Sequence, residues 1–374
     1  MNRAATALLA LLAAAPALAQ DTAWTAPWKL HHYPYVAGAP NDAPLLAYTV
    51  RWASAARHEA RVRERGAFAL RAGATWTGSW SASARYEADR VLPGWRLDLG
   101  ASAFDWTRWG YYGTGILDAG DLVEPDAYYR VKRRRLSARA EATRTVAASL
   151  RVALAGELYR ADYRAPDDAP SLFASEAPDP GSGTDAWGRL ALVLDTRDRE
   201  HDPRRGLLLE AGAQVASGGG GYERLYGIAR GWAPIGERVT VAARVLASQL
   251  YGTPPLDALV LVPAWRNGVD VLGGELSQRG LASGRYAVPG VLAGTLELRA
   301  AAVRLRDLGG LGVVGFVDVG QPFATEKVAL DLDGARVAGG GGLVLTLLRA
   351  PVLGLWVASG GEGANLALSG GWVF

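Results

Sequence analysis

Hydrophobic and polar residues alternate with a period of two along most of this 374-residue chain. In residues 149–158, leucine, valine and glycine fill the even positions, whereas charged and small residues fill the odd ones. The same alternation recurs in residues 96–103, 133–141 and 237–247. Because successive side chains of a β-strand point to opposite faces of its sheet, each segment predicts a strand with one apolar and one charged face.

Sixteen strands are predicted in this way, although the first is weak enough that fourteen is an alternative. They lie at 30–37, 43–53, 66–76, 79–89, 94–107, 127–142, 147–162, 187–197, 205–216, 222–233, 237–250, 290–304, 311–321, 335–347, 351–360 and 364–374. No amphipathic helical pattern of useful length is present to cover the apolar face. The fold class is therefore predicted to be all-β, a single transmembrane antiparallel β-barrel with lipid outside and a charged lumen inside.

An even number of strands places both ends of the barrel chain on the periplasmic side. The short turns at 91–94 and 233–236 then face the periplasm. The long connections at 108–125, 164–186 and 251–289 face outward, as is typical of this class of barrel. Residues 166–184, rich in Asp, Pro, Gly and Ser, are predicted to form a solvated loop.

Composition agrees with a membrane barrel and excludes several other classes. Hydrophobic residues make up 49% of the chain, yet its mean hydropathy is only +0.04, as expected when a lipid face and a charged lumen are averaged. The 13 Trp and 14 Tyr, against 6 Phe, suit the aromatic belts of a membrane barrel. The absence of Cys excludes disulfides and thiolate metal sites. The net charge of +3 comes from interleaved charges, so no nucleic-acid partner is expected.

The first nineteen residues are predicted to be a cleaved signal peptide. Arg3 precedes an apolar run at 4–15, and Ala17, Leu18 and Ala19 form a small-residue cleavage signal. Residues 20–374 then form one barrel domain in the bacterial outer membrane. No cofactor and no metal site is expected.

Four motifs stand out in the second half of the chain. They are Asp195-Thr196-Arg197-Asp198 with Pro203 and Gly206 in a turn; Ser277-Gln278-Arg279-Gly280-Leu281 in the longest loop; Leu296-Glu297-Leu298-Arg299 on a strand; and Phe316-Val317-Asp318-Val319-Gly320 on the next. Strand alternation places Glu297 and Asp318 on the lumenal face. A loop tip folded inward would allow Arg279 to pair with both carboxylates. The alternative is that both carboxylates line a wet pore and Arg279 is solvated.

Together and in this order, the four motifs resemble the barrel domain of BamA/TamA-type outer-membrane proteins, the bacterial surface antigen family. The resemblance implies that the sixth extracellular loop folds into the lumen. It assigns Arg279, Gly280, Glu297 and Asp318 to a lock between the loop tip and the wall. It also assigns Asp195, Arg197, Asp198, Pro203 and Gly206 to a periplasmic turn before the ninth strand.

Two departures from the family pattern concern the loop tip and the start of the chain. Gln278 precedes the arginine and Leu281 replaces the usual aromatic residue, so the packing of the tip is expected to differ. Residues 20–29 are too few for a POTRA repeat, which predicts a member without POTRA repeats and a periplasmic partner protein in their place.

The end of the chain resembles the signal by which outer-membrane barrels are recognised for assembly. Leu366, Leu368, Trp372 and Phe374 are predicted to share one face of the last strand. The simpler interpretation is an edge strand that closes the barrel, and both can hold.

Three functions remain open from the sequence. The first is a plugged barrel that inserts or translocates membrane proteins or lipids through a seam between its first and last strands, in contact with outer-membrane lipid and lipopolysaccharide. The second is a passive pore in which inward arginines favour anions: Arg71, Arg85, Arg133, Arg135, Arg151 and Arg244. The third, a hydrolase, is disfavoured because no Gly-x-Ser-x-Gly motif is present and the only histidines are His31, His32, His58 and His201. The protein is therefore expected not to be an enzyme.

Overall fold

The computed structural model describes residues 27–57, 60–167, 170–176, 181–266, 268–305, 309–324, 328–329, 333–347 and 350–374. The predicted signal peptide and His58 lie outside the described residues.

The chain forms a nearly closed, sixteen-stranded antiparallel barrel, which confirms the predicted fold class and strand number. The strands are β1 (Trp28–Ala37), β2 (Leu45–Ser54), β3 (Gly66–Ala74), β4 (Trp80–Leu92), β5 (Trp95–Gly110), β6 (Arg130–Thr145), β7 (Leu150–Arg164), β8 (Ser182–Asp195), β9 (Gly206–Ala216), β10 (Tyr222–Ile235), β11 (Val239–Gly252), β14 (Gly290–Leu305), β15 (Gly309–Phe323), β16 (Arg336–Leu347), β17 (Ala350–Ser359) and β18 (Ala364–Ser369). Two short strands, β12 (Leu261–Val262) and β13 (Val269–Asp270), pair with each other between β11 and β14.

Side-chain burial is inverted relative to a water-soluble protein. Leu154 and Leu158 on β7 are 58% and 57% exposed, whereas Arg151 on the opposite face of the same strand is 5% exposed. The same alternation of exposed apolar and buried polar residues runs along β2, β8, β9 and β15. The outer face is thus the apolar band of a membrane barrel, and the inner face carries the charges.

Every strand of the barrel pairs with the strands before and after it in sequence, with β14 following β11, so β1 and β18 are the two edge strands of the sheet. Within the described residues, β1 is laddered only to β2, and β18 only to β17. The residue after β1, Gly38, nevertheless lies against β18, because a Cβ built on it would overlap the Leu368 carbonyl oxygen. We call the boundary between β1 and β18 the seam.

The connections alternate between two ends of the barrel. One end, which we call the loop end, carries the three longest connections, after β5, β7 and β11. The opposite end, which we call the turn end, carries the turns after β4, β8, β10 and β14. The short helices all lie at the loop end or in its connections: 3-10 turns at Ala119–Asp121, Asp126–Tyr129 and Gly218–Gly220, and α-helices at Leu172–Glu176 and Leu256–Leu259. None of the described helices is long and apolar enough to cross a membrane.

Two predicted boundaries are wrong. β8 begins at Ser182, inside the predicted solvated loop, because residues 182–184 continue the ladder with residues 160–162 of β7. β18 ends at Ser369 rather than at residue 374. Gly371 has φ of 133°, a conformation that side chains disfavour, and the chain leaves the sheet there.

Candidate functional site

The connection between β11 and β14, residues 253–289, is buried over most of its length, and we call it the long connection. Val262, Leu272, Leu281 and Tyr286 are each at most 2% exposed. They form one apolar cluster with inner-face residues of β10, β11 and β14, among them Leu246. A connection on the barrel surface would instead expose such side chains to water.

Side chains of the inner face hold the middle of the long connection by its backbone. Arg139 on β6 donates to the Ala264 carbonyl oxygen at 3.0 Å, and Arg189 on β8 donates to that of Pro263. The Trp265 backbone N–H donates to Glu210 on β9 at 2.8 Å. Buried backbone groups need such partners, because an unsatisfied group is costly away from water.

The long connection reaches the turn end of the barrel at Arg266. Its guanidinium pairs with Glu87 at 2.7 Å and with Glu200, in the turn after β8, at 3.0 Å. Burial raises the pKa of Glu200, but Arg96, Arg266 and Arg151 outweigh it and lower the pKa from 4.5 to about 2. Since the long connection starts at the loop end, its contacts extend from one end of the barrel to the other.

Arg279 forms a buried ion cluster with two adjacent strands. Its Nε and Nη2 donate to the two carboxylate oxygens of Asp318 on β15, both at 2.9 Å, and its Nη1 donates to Glu297 on β14 at 2.6 Å. The Arg279 backbone N–H also donates to Asp318, at 3.1 Å. Arg279 and Asp318 are 1% exposed and Glu297 is 0% exposed. The structure thus brings together the three charged residues singled out in the sequence.

Aromatic rings and a second arginine complete this cluster. The Arg279 guanidinium carbon lies 3.3 Å from the Phe316 ring centroid and 5.4 Å from that of Trp356. The second oxygen of Glu297 accepts a hydrogen bond from Arg299 at 2.7 Å. Two guanidinium groups and two carboxylates give the cluster no net charge, as buried charges require. Trp356 was not anticipated, because no motif marks it.

The residues beside Arg279 seat the tip of the long connection against the wall. A Cβ on Gly280 would lie 2.6 Å from the Ala338 Cβ, so only glycine allows this approach. Asn365 on β18 donates its amide to the carbonyl oxygens of Arg279 and Leu281, at 2.9 and 3.2 Å. The last strand is therefore tied to the tip by hydrogen bonds that the sequence did not reveal.

A second ion cluster, which the sequence analysis missed, anchors the start of the long connection. Asp257 accepts hydrogen bonds from Arg133 at 3.0 Å, from Arg135 at 2.9 Å and from the Tyr163 hydroxyl at 3.0 Å. Asp257 is 3% exposed. The available signal was the apolar character of residues 256–272, which is unusual for a solvated loop.

The inward arginines that suggested an anion pore are mostly engaged by protein groups. Arg85 contacts Glu87 at 3.2 Å, Arg151 contacts Asp195 at 2.8 Å, and Arg244 donates to the Leu276 carbonyl oxygen at 2.6 Å. Arg133 and Arg135 belong to the Asp257 cluster described above, and Arg71 is exposed. Little of this positive charge is left to attract a permeating anion.

The Asp195–Gly206 motif forms a hydrogen-bonded turn at the turn end. Asp195, 0% exposed, accepts hydrogen bonds from the Arg197 guanidinium at 3.0 and 3.1 Å. Asp198 accepts hydrogen bonds from the backbone N–H groups of residues 199, 204 and 205 at 3.0–3.3 Å, and Pro203 is buried between them. Gly206 has φ of 111°, and a Cβ there would lie 2.8 Å from the Arg197 Cα. These contacts define a structural role for the motif.

The four C-terminal residues singled out in the sequence do not share one strand face, so that prediction is wrong. Leu366 is 67% exposed on the outer face of β18, and Leu368 is half-buried there. Trp372 lies beyond β18 and donates to Asp202 at 2.9 Å. The Phe374 ring lies 5.0 Å from the guanidinium carbon of Arg299, on the inner face of β14.

The histidines and acidic residues do not assemble into a metal site in the described part of the chain. The Nδ1 atom of His32 lies 2.6 Å from the Tyr48 hydroxyl oxygen.

Three solved structures share this fold over 92% of the chain. They are BamA from Haemophilus ducreyi lacking POTRA domains 1–3 (13% identity, TM-score 0.57), CdiB from Escherichia coli (12%, 0.58) and CdiB from Acinetobacter baumannii (10%, 0.51). The alignments cover 69%, 67% and 65% of those chains, so this chain spans about two thirds of their length. No protein-family model and no curated protein sequence matches the chain. The chain therefore has the fold of BamA- and CdiB-type barrels, which are integral to the outer membrane.

Proposed function

We propose that this protein is a plugged outer-membrane barrel that inserts or translocates membrane proteins or lipids through the seam between β1 and β18. The observation that carries the proposal is that, within the described residues, β1 and β18 each have one edge without a ladder, and that the chain directly after β1 lies against β18 at Leu368. Unpaired strand edges accept a further strand, which is how a nascent barrel segment would be received. β18 is only six residues long, so its ladder with β17 is short as well.

The long connection is the plug in this proposal. Its contacts with the inner faces of β6, β8, β9, β14 and β15 support this role, because they fix it at several points around the wall. A plug keeps the outer membrane sealed while the seam works. A plugged barrel also accounts for why the inward arginines are paired rather than facing a water-filled channel.

Further partners follow from the position of the barrel. The outer apolar face meets outer-membrane lipid, and the loop end meets lipopolysaccharide. A periplasmic protein would deliver the cargo at the turn end. We assign no catalytic chemistry to the barrel.

Single-channel conductance in planar bilayers tests the plug. The unmodified protein should show small, flickering currents, and Arg279→Ala should raise them because the tip loses its charged anchor. Arg160→Ala is the matched control, since Arg160 is exposed on β7 and pairs only locally with Asp162, at 2.9 Å. Large, steady currents in the unmodified protein would instead support the passive anion pore.

Cross-linking tests the seam, and the absence of Cys makes it free of background. Val36→Cys with Leu368→Cys, joined by a short bis-maleimide, should close the seam. Val36→Cys with Leu46→Cys is the control, because these two exposed residues are ladder partners on β1 and β2. Only the first cross-link should stop the reconstituted protein from promoting barrel insertion into liposomes. Equal activity of both cross-linked proteins would refute the role of the seam.

A further inference from the structure

A basic cavity of about 370 Å³ lies inside the turn end of the barrel. Its walls come from the turn-end portions of β11, β14, β15 and β16 and from the turn after β8. Five arginines line it: Arg199, Arg204, Arg238, Arg299 and Arg304. Asp202 is the one acidic residue in its described lining, so the lining carries a net charge of +4 (five arginines less one carboxylate).

Arg299 at the base of the cavity has unused hydrogen-bonding capacity. Its Nε donates to Glu297 and its Nη2 donates to the Phe374 carbonyl oxygen at 2.8 Å. Its Nη1 is buried and has no hydrogen-bond partner among the described residues, although Arg299 is only 4% exposed. A buried guanidinium N–H without a partner is costly, and an anion in the cavity would satisfy it.

The arginines around the rim are held weakly or not at all by carboxylates. Arg204 makes only long contacts, 3.3–3.4 Å, with Thr240 and two carbonyl oxygens, and Arg304 donates to the Glu237 carbonyl oxygen at 2.6 Å. Asp202, the acidic residue of the lining, already accepts the Trp372 indole N–H. By contrast, Arg133, Arg135, Arg151 and Arg279 are each paired with Asp or Glu.

We propose that this cavity binds a phosphate group. Glu297 already offsets the charge of Arg299, and the other four arginines less Asp202 leave a net charge of +3. This charge suits a phosphate, which carries one to two negative charges and several acceptor oxygens, better than a single carboxylate. The volume falls in the range of small-molecule sites and leaves room for a group attached to the phosphate. Arg238 immediately precedes β11 and Arg304 lies at the end of β14, both at the turn end. The headgroup of an anionic phospholipid and a free phosphate share this chemistry. The inference does not depend on the plug or the seam.

Calorimetric titration of the full chain in a maltoside detergent tests the proposal. The probes are inorganic phosphate, dihexanoyl-phosphatidylglycerol below its micellar concentration, and a tetraglutamate peptide. The double variant Arg199→Gln/Arg238→Gln should weaken phosphate and lipid binding about tenfold or more, from the loss of charge-assisted hydrogen bonds. The control Arg160→Gln/Arg164→Gln removes the same charge from β7 and should bind as the unmodified protein does. If the double variant does not fold, Arg304→Gln takes its place, with the same direction expected.

The outcomes separate the sources and can overturn the proposal. Tighter binding of the lipid than of phosphate identifies a headgroup site, and equal binding identifies a site for free phosphate. Saturable binding of neither probe, equal weakening in the control, or binding of tetraglutamate alone would overturn it, the last in favour of an acidic protein segment.

Discussion

Replacing Arg279 with alanine should release the tip of the long connection while the barrel stays folded. Arg279 supplies three charged hydrogen bonds, at 2.6, 2.9 and 2.9 Å, and lies on the face of Phe316. Its removal leaves Asp318 buried without a cation and Glu297 with only Arg299. The strands themselves are held by ladders that do not involve Arg279.

The size of the effect follows from the burial of the cluster. Breaking a buried ion pair by removing one partner costs about 3–5 kcal/mol, because the remaining charge is uncompensated. All three charged groups are at most 1% exposed, so solvent screening gives little relief. The equilibrium constant for undocking the tip should therefore rise roughly 150- to 4,000-fold.

Hydrogen exchange at single-residue resolution measures this change. The Arg279 amide, which donates to Asp318, and the Leu281 and Gly274 amides within the tip should lose protection by that factor. Amides in β6 and β7, far from the cluster, should be unchanged. Arg279→Lys should fall between, because lysine keeps the charge but cannot form the bidentate pair. Unchanged protection of the tip in Arg279→Ala would refute the anchoring role of the cluster.

Four further predictions concern other parts of the chain. Asp257→Ala should accelerate amide hydrogen exchange in residues 255–262, because two buried arginines lose a partner and the docking of this segment loses about 3 kcal/mol of free energy. The tip around Arg279 should stay protected. Glu200 has a folded pKa of about 2, below its unfolded value of 4.5, so the stability that its ionised carboxylate contributes is complete above pH 4.5 and is lost as the pH falls toward 2. The sensitivity of residues 261–266 to protease should rise over that pH range in the unmodified protein, but not in Glu200→Gln. Gly206→Ala should cost about 1–3 kcal/mol through strain at positive φ, measured by urea unfolding of the barrel. Asn365→Ala should lose two hydrogen bonds of about 1 kcal/mol each, and amide exchange in β18 should accelerate.

The barrel could be predicted from the sequence because its signal is local and repeated. Each strand shows its two faces within ten residues, and an error in one strand does not spread to the next. Even β1, the weakest segment, pairs with β2 over ten residues. The ends of strands were harder, since a ladder extends wherever the neighbour offers partners, as at Ser182, and stops where it does not, as at Ser369.

The interior of the barrel could be predicted only where a motif marked it. Arg279, Glu297 and Asp318 were found through strand alternation together with a resemblance. Asp257 and Trp265 were missed because the long connection has no periodicity that relates its residues to a face. Their partners, such as Arg133 and Glu210, lie more than 50 residues away in the chain. Such pairings depend on which groups of the inner face still lack a partner, and only the three-dimensional structure of the barrel shows which groups these are.

The anchors of the long connection lie mainly on strands other than β1 and β18, which border the seam. The strongest ties of the tip go to β14 and β15, whereas its hydrogen bonds to β18 come from one neutral side chain, Asn365. The middle and start of the long connection are fixed to β6, β8 and β9, on the wall away from β1. Among the described residues, β18 itself makes two neutral hydrogen bonds to the long connection and no ion pair, although Glu362, in the turn before β18, pairs with Arg285 at 2.7 Å. Since an ion pair costs several times more to break than a neutral hydrogen bond, the proposed function predicts that the seam parts within β18 before the ion pairs of the long connection with β14 and β15 break.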